Sequence, residues 1–296
     1  MPRIPLPDRL LAGPFTFSQG LKAGMGEKRL RGRDLQRPFR GVRSPQSGRL
    51  TLEGLCEAYQ KVMPQHAFFC GVTAATLMAI PLPSYQERSR TLHVAVPAPH
   101  RAPSGRGVRG HTLTPAPDQV RDWHGLRLSS PEFTWCQLGA LLPLPGLVAA
   151  GDFLIHHRLP FTTTDRLTDA VDRFVGRRGK PALRAALLLL NNRSESPQES
   201  QLRVIVVTSG IPGAQANLPI TTSGGYRYRA DIAFPEKKVI VEYQSRFHDG
   251  SKEFRADMTR ISRLEADDWY VMQVNRNDLD GPVELISRLR RVLSGR

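Results

Sequence analysis

Asp231 and Glu242 carry the chemistry this sequence offers most plainly. Asp231 lies in the run Tyr228-Arg229-Ala230-Asp231-Ile232-Ala233-Phe234, and Glu242 in Val239-Ile240-Val241-Glu242-Tyr243-Gln244. Both runs are rich in β-branched and aromatic residues and read as strands. Pro235-Glu236-Lys237-Lys238 between them reads as a turn. A hairpin closed by Phe234 and Val239 sets Asp231 directly opposite Glu242. Side chains so placed have Cβ atoms roughly 4.5–5.5 Å apart, where like charges repel. A hard cation such as Mg²⁺ or Mn²⁺ removes that penalty, because carboxylate oxygens are the ligands it prefers. Gln244, two residues past Glu242, points to the same face. The chemistry this spacing suits is metal-assisted hydrolysis, with the cation acidifying water.

The pattern resembles the PD-(D/E)xK nuclease superfamily, with Asp231 at the Asp, Glu242 at the Asp/Glu and Gln244 where a Lys is usual. Neighbouring residues extend the likeness: Ser194 to Arg203 upstream, then Glu242 to His248, then Phe254, Asp257 and Arg260, then Asp268-Trp269-Tyr270-Val271. In this order they resemble the nuclease-like domain related to very-short-patch repair endonucleases. Actinobacterial proteins carry that domain behind a winged helix similar to that of abortive-infection type IV antitoxins. The resemblance covers most of the chain, most closely from Ser194 to Leu293. It implies a restriction-endonuclease-like mixed sheet flanked by helices. It also implies catalytic roles for Asp231, Glu242, Gln244, Glu199 and His248, with Asp231, Glu242 and Glu199 holding the metal.

Bland readings stand beside each of these. Ser196-x-x-Glu199 after a turn is a capping box with Pro197 at the first helical position, so Glu199 has a structural use of its own. His248 can move protons near neutral pH, yet an isolated His is more often structural. Replacing Lys by Gln keeps a donor and loses the positive charge that stabilises a developing oxyanion. Arg246, Lys252 and Arg255 suit a phosphate backbone. Asp257 and Arg260, three apart on one helix, read as a surface ion pair. The adjacent His156 and His157 read as structural.

These residues need a scaffold, and the chain is long enough for more than one domain. Its 296 residues are 40% hydrophobic and 23% charged. Three segments are expected: a basic winged-helix-like segment over 1–49, an antitoxin-like middle domain over 50–192, and the nuclease-like domain over 193–296. The fold class is α/β (α+β). In the first segment, a helix from Phe15 with Thr16 or Ser18 near its start, a Gly24-Met25-Gly26 turn, a basic helix over 27–36 and a strand over 39–43 give the order of a small winged helix. Lys28, Arg29, Arg31 and Arg33 would then face DNA. Further on, Thr164 reads as the cap of a helix over 165–175. Ser196 starts a run of helix, two strands, helix, strand and helix.

The charge points to a polyanion. There are 42 Lys and Arg against 27 Asp and Glu, a net of +15. Residues 1–49 alone hold eleven Lys or Arg and three Asp or Glu, a net of +8. Such a block is the electrostatic footprint of phosphate binding. Three cysteines without CxxC spacing read as free thiols in a reducing, cytoplasmic setting. No run reaches the roughly 20 apolar residues that span a bilayer, so no membrane partner is expected. The motifs of serine hydrolases, P-loop NTPases and zincins are absent. The function expected is a metal-dependent DNA endonuclease using Mg²⁺ or Mn²⁺, with a toxin or repair partner. The alternative is a catalytically inactive DNA-binding regulator or antitoxin.

Overall fold

A computed structural model describes residues 4–244 and 252–296, and of residues 252–254 the backbone alone. The chain is α+β and divides into two compact units. One comprises residues up to Leu138 with Arg173–Arg177; the other comprises Gly139–Asp172 with Arg178–Arg296. The segments expected from the sequence divide instead at 49/50 and 192/193. By contact, the helices that follow Gly139 group with the C-terminal sheet. No helix of the described residues is long and apolar enough to cross a membrane.

The N-terminal unit is built on a six-stranded mixed sheet. Its order is Ser104–Gly105, Val108–Leu113, Leu92–Pro97, Phe68–Phe69, Leu126–Ser129, Val120–Trp123. Helices Leu52–Gln60, Gly71–Leu77 and Pro131–Leu138 accompany it. Ahead of it, Phe15–Thr16 pairs antiparallel with Val42–Arg43. Leu6, Leu10, Phe15, Leu30 and Leu35 form a small core there. Thr16 caps helix Phe17–Lys22 by a full capping box with Gln19, so of the two expected caps Thr16 is used.

The basic helix expected over 27–36 is only Glu27–Leu30. Gly32 ends it: a Cβ there would lie 2.6 Å from Asp34 Oδ1 and 3.0 Å from the Arg29 carbonyl oxygen. A tight turn held by the Arg29–Asp34 pair occupies that space.

The C-terminal unit is centred on a four-stranded sheet ordered Tyr270–Val274, Val239–Tyr243, Arg227–Phe234, Gln215–Thr221. The central pair Arg227–Phe234 and Val239–Tyr243 is antiparallel, while Val239–Tyr243 and Tyr270–Val274 run parallel. Alternation along Val239–Tyr243 sorts its side chains to two faces. Val239 and Val241 join Leu202, Val206, Leu285 and Leu289 from helices Pro197–Thr208 and Pro282–Ser294. Ile240 joins Leu264 of helix Lys252–Glu265 on the other. The result is a mixed sheet with helices on both faces.

Helix Pro197–Thr208 is fixed in place by a buried polar network. Arg203 donates to Asp152 at 2.7 Å and to the Leu189 carbonyl oxygen at 2.6 Å. Asp152 is 2% exposed and also accepts from Ser200 Oγ and the Asn191 N–H, each at 2.7 Å. Such a buried ion pair holds one geometry, because losing either partner leaves the other uncompensated. Leu144–Leu154, which carries Asp152, packs along the same helix.

Candidate active site

The hairpin forms in the expected register. Phe234 pairs with Val239, Ala233 with Ile240 and Ile232 with Val241. The pairing stops one step short of Asp231 and Glu242. There the Tyr243 N–H donates to Asp231 Oδ2 at 3.0 Å, so a side chain takes the place of a backbone partner. Facial alternation also resets at this point. Tyr228 and Ala230 face the Leu264 cluster, whereas Ile232 and Phe234 face the Leu202 cluster. On the next strand Asn217, between the residues that pair with Ala230 and Ile232, has a φ of +56°. Asp231 thus sits at a kink in its strand.

Burial pushes the Asp231 carboxyl up to about 7, against the opposing Tyr243 N–H. The charges of Glu199 and Glu242 add to the rise and Arg229 opposes it. A raised carboxyl with two acidic neighbours is the expected signature of acids gathered around one spot.

Glu242 is 6% exposed, and each of its oxygens accepts a hydrogen bond. Arg260 Nη1 and Nη2 donate to its two oxygens at 2.6 and 2.5 Å. The same guanidinium donates to Asp257 Oδ1 from Nε at 3.0 Å and from Nη2 at 2.7 Å. Burial works against the Arg260 charge, yet Glu242 and Asp257 hold its proton more tightly than usual. Gln244 Nε2 donates to Asp257 Oδ2 at 2.8 Å. The chain of partners therefore runs Glu242, Arg260, Asp257, Gln244. The sequence predicts a surface pair for Asp257 and Arg260; they pair with each other and also organise the site. The D-x-x-R spacing on a helix facing the Glu242 strand was the available signal.

Glu199 takes up the helix-capping use, with its carboxylate returning to the Glu195 N–H instead of the expected Ser196 N–H. Ser196 caps the helix, its Oγ accepting the Glu199 N–H at 3.1 Å. In return the Glu199 carboxylate accepts from Ser196 Oγ at 3.0 Å and from the Glu195 N–H at 3.1 Å. Its charge still reaches Asp231. Arg229, beyond Asp231 on the same strand, turns to Glu195 at 3.3 Å. Arg255 is exposed. Arg246 and His248 lie outside the described residues, as does the side chain of Lys252.

Among the described residues, His156, His157 and Glu195 are the group whose possible metal-ligating atoms lie within 4.8 Å of one another. The oxygens of Asp231, Glu242 and Glu199 do not all lie within that distance of one another. Arg158 and Arg229 close on Glu195 at 3.5 and 3.3 Å, a cationic surround that opposes an added cation.

Of the four residues expected to face DNA, two are engaged locally. Arg29 has an 11% exposed side chain, paired with Asp34 at 2.9 Å and bonded to the Ile4 carbonyl oxygen. Arg31 pairs with Glu27 at 2.7 Å, though both are exposed. Lys28 and Arg33 are exposed.

Comparison with known proteins adds relatives whose names carry no activity. No family model matches the chain. Two Mycobacterium tuberculosis proteins, "Uncharacterized protein MT2308" (strain CDC 1551 / Oshkosh) and "Uncharacterized protein Rv2248" (strain ATCC 25618 / H37Rv), are each 28% identical over 244 residues. The match covers 82% of this chain and 87% of each relative. Among solved structures, the RV2827C protein from Mycobacterium tuberculosis aligns over 71% of this chain and 83% of its own. Its TM-score is 0.42 and its identity 14%.

Proposed function

We propose that the C-terminal unit is a metal-dependent, DNA-directed phosphodiester hydrolase of the PD-(D/E)xK kind. The observation that carries this reading is the hairpin register, which brings Asp231 and Glu242 to neighbouring positions beside Glu199 and Gln244. The donors are hard carboxylate oxygens, the set that Mg²⁺ or Mn²⁺ selects. Asp231, Glu242 and Glu199 would hold the ion after closing from an arrangement in which their oxygens do not all lie within 4.8 Å of one another. Each oxygen now in a hydrogen bond keeps a further lone pair. When bound, the cation supplies neutralisation of charge on the phosphodiester and acidification of water.

The chain's own residues do the rest. Without an ion, burial raises the Asp231 carboxyl to about 7, so a cation bound there would take the place of a proton. Asp257 fixes the orientation of the Gln244 amide, which serves as a neutral donor to a phosphate oxygen. Arg260 holds the Glu242 carboxylate in one plane by a bidentate grip. The test is calorimetry with Mn²⁺ on the wild type and on Asp231→Ala. Saturable binding that the variant lacks supports the reading; identical heats from the two proteins sink it.

One observation favours a second reading, a catalytically inactive DNA-binding regulator. Arg260 already neutralises Glu242, and Gln244 spends one of its two amide N–H donors on Asp257. A site closed on itself in this way keeps its fold without needing an ion. Mn²⁺ binding that leaves DNA intact would favour this reading.

A further inference from the structure

A second site lies in the N-terminal unit, away from the residues singled out in the sequence. A cleft of about 540 Å³ opens between the loop that includes Arg37–Arg43, helix Leu52–Gln60 and the hairpin of Ser104–Gly105 with Val108–Leu113. Its lining includes Arg37, Arg40, Arg43 and Arg106, and no Asp or Glu. Four guanidiniums brought together from the loop and the hairpin repel one another unless an anion joins them.

The arginines are differently poised. Arg43 is 8% exposed, and its Nε and Nη1 are committed to the carbonyl oxygens of Leu30 and Val42, at 2.6 and 2.9 Å. It is a fixed, buried positive charge with backbone partners. Burial, with Arg37 and Arg31 nearby, makes that charge costlier to hold than usual. Arg37 is tethered through Nη2 to the Arg31 carbonyl oxygen at 2.6 Å. Arg40 and Arg106 are exposed, and among the described residues neither has a carboxylate partner. Those two are free to close on a ligand.

The remaining wall is aromatic. Phe39 and Tyr59 meet edge-to-face at 4.9 Å, and both line the cleft half-buried. Gly41, at a φ of +81°, and Gly105 leave open space where a Cβ would stand, so a ligand can approach the backbone. Guanidiniums recognise phosphate by charge and by paired donors. Aromatic faces stack bases without regard to sequence. A volume of this order suits one small molecule.

We infer that this cleft binds one phosphorylated nucleotide, its phosphate held by Arg40 and Arg106 above Arg43 and its base against Phe39 and Tyr59. The nucleotide could be a free mononucleotide or the phosphorylated end of a DNA strand. The inference rests on the nucleic-acid half of the proposed function and is independent of cleavage, so the two can fail separately.

The test is titration of the full chain with thymidine 5′-monophosphate, thymidine and inorganic phosphate, and with 5′-phosphorylated and unphosphorylated versions of one single-stranded oligonucleotide. Saturable binding of the monophosphate, tighter than of thymidine or phosphate alone, is expected. Arg40→Ala with Arg106→Ala should weaken it by about tenfold or more, since each is a charge-assisted contact. Arg9→Ala with Lys22→Ala, which removes the same charge elsewhere in the unit, should leave it unchanged. Phe39→Leu keeps an apolar side chain and should weaken the monophosphate but not inorganic phosphate. A preference for the 5′-phosphorylated oligonucleotide that the Arg40/Arg106 variant loses assigns the site to strand ends. Monophosphate binding without that preference assigns it to free nucleotide.

Three results overturn the inference: no saturable nucleotide binding, equal weakening by the two double variants, or tighter binding of a poly-glutamate peptide than of every nucleotide probe. Thermal unfolding of each variant separates lost binding from lost fold. Loss of nucleotide binding with Mn²⁺ binding at Asp231 retained would sink this site alone.

Discussion

At the scale of single residues, Asp231 and Glu242 are two acids in contrasting states. Asp231 is raised chiefly by burial and among the described residues has no cationic hydrogen-bond partner, whereas Glu242 is clasped by Arg260. Their removal should therefore act in opposite directions. The Asp231 carboxyl keeps its proton in the folded chain up to about 7, while an unfolded Asp releases it near about 4. Between those limits the folded state binds more protons, so stability falls as pH rises through the window. Asp231→Asn abolishes the titration and still offers an oxygen to the Tyr243 N–H. It should stabilise the protein at pH 8, by on the order of 2 kcal/mol after discounting for partial exposure. The gain should vanish near pH 4. Urea unfolding at several pH values checks this, and a pH-independent difference would count against the assignment.

Glu242→Gln should do the reverse and cost on the order of 3 kcal/mol, because it leaves the Arg260 charge without its closest partner. The same unfolding series reads it. Gln244→Lys should fold normally, since an ammonium can also donate to Asp257. In an active enzyme it should raise the single-turnover rate by restoring a charge beside the phosphate.

At the scale of elements, the helix that carries Glu199 is set by Ser196. Ser196→Ala should cost about 1 kcal/mol, the ordinary worth of an N-cap. Helix Thr164–Arg173 offers a sharper comparison. Thr163 Oγ1 accepts the Arg166 N–H at 3.3 Å, which makes Thr163 the cap in place of the expected Thr164. Thr163→Ala should lower the melting temperature more than Thr164→Ala. Three threonines in a row made the position ambiguous by composition alone.

The same physics explains what was legible. The hairpin could be read because β-branched runs flank a Pro-led turn, and its register followed from the closing pair. Strand Gln215–Thr221 could not, since Pro219 and Asn217 interrupt any strand pattern. Helix Arg276–Asp280 is too short for periodicity and rests on an Asn275 cap. The kink at Asp231 was invisible because it comes from a positive φ on a neighbouring strand. The charge pattern favours a long helix from Glu27, but Gly32 and the Arg29–Asp34 turn stop it at Leu30.

At the scale of the whole molecule, the net charge of +15 is the strongest guide to a partner. DNA affinity should fall with salt, by roughly 0.9 in log K per log salt for each phosphate contact. Lys28→Ala with Arg33→Ala should reduce that slope by about 1–2, because both side chains are exposed. Arg29→Ala should instead destabilise the N-terminal unit through its lost Asp34 and Ile4 contacts. A fluorescence binding series from low to high salt distinguishes these outcomes. The two units differ in what they add. One supplies a basic first segment and an arginine-lined cleft, the other a carboxylate site on a mixed sheet.

In the proposed function, Asp231 and its neighbours cut DNA with the help of a divalent cation. Single-turnover cleavage of plasmid, single-stranded and mismatched DNA in Mg²⁺ and in Mn²⁺, with chelator as control, tests it most directly. Metal-dependent nicking by the wild type is expected, abolished in Asp231→Ala while DNA affinity is kept. Intact DNA on every substrate, or cleavage that survives in Asp231→Ala, would contradict it.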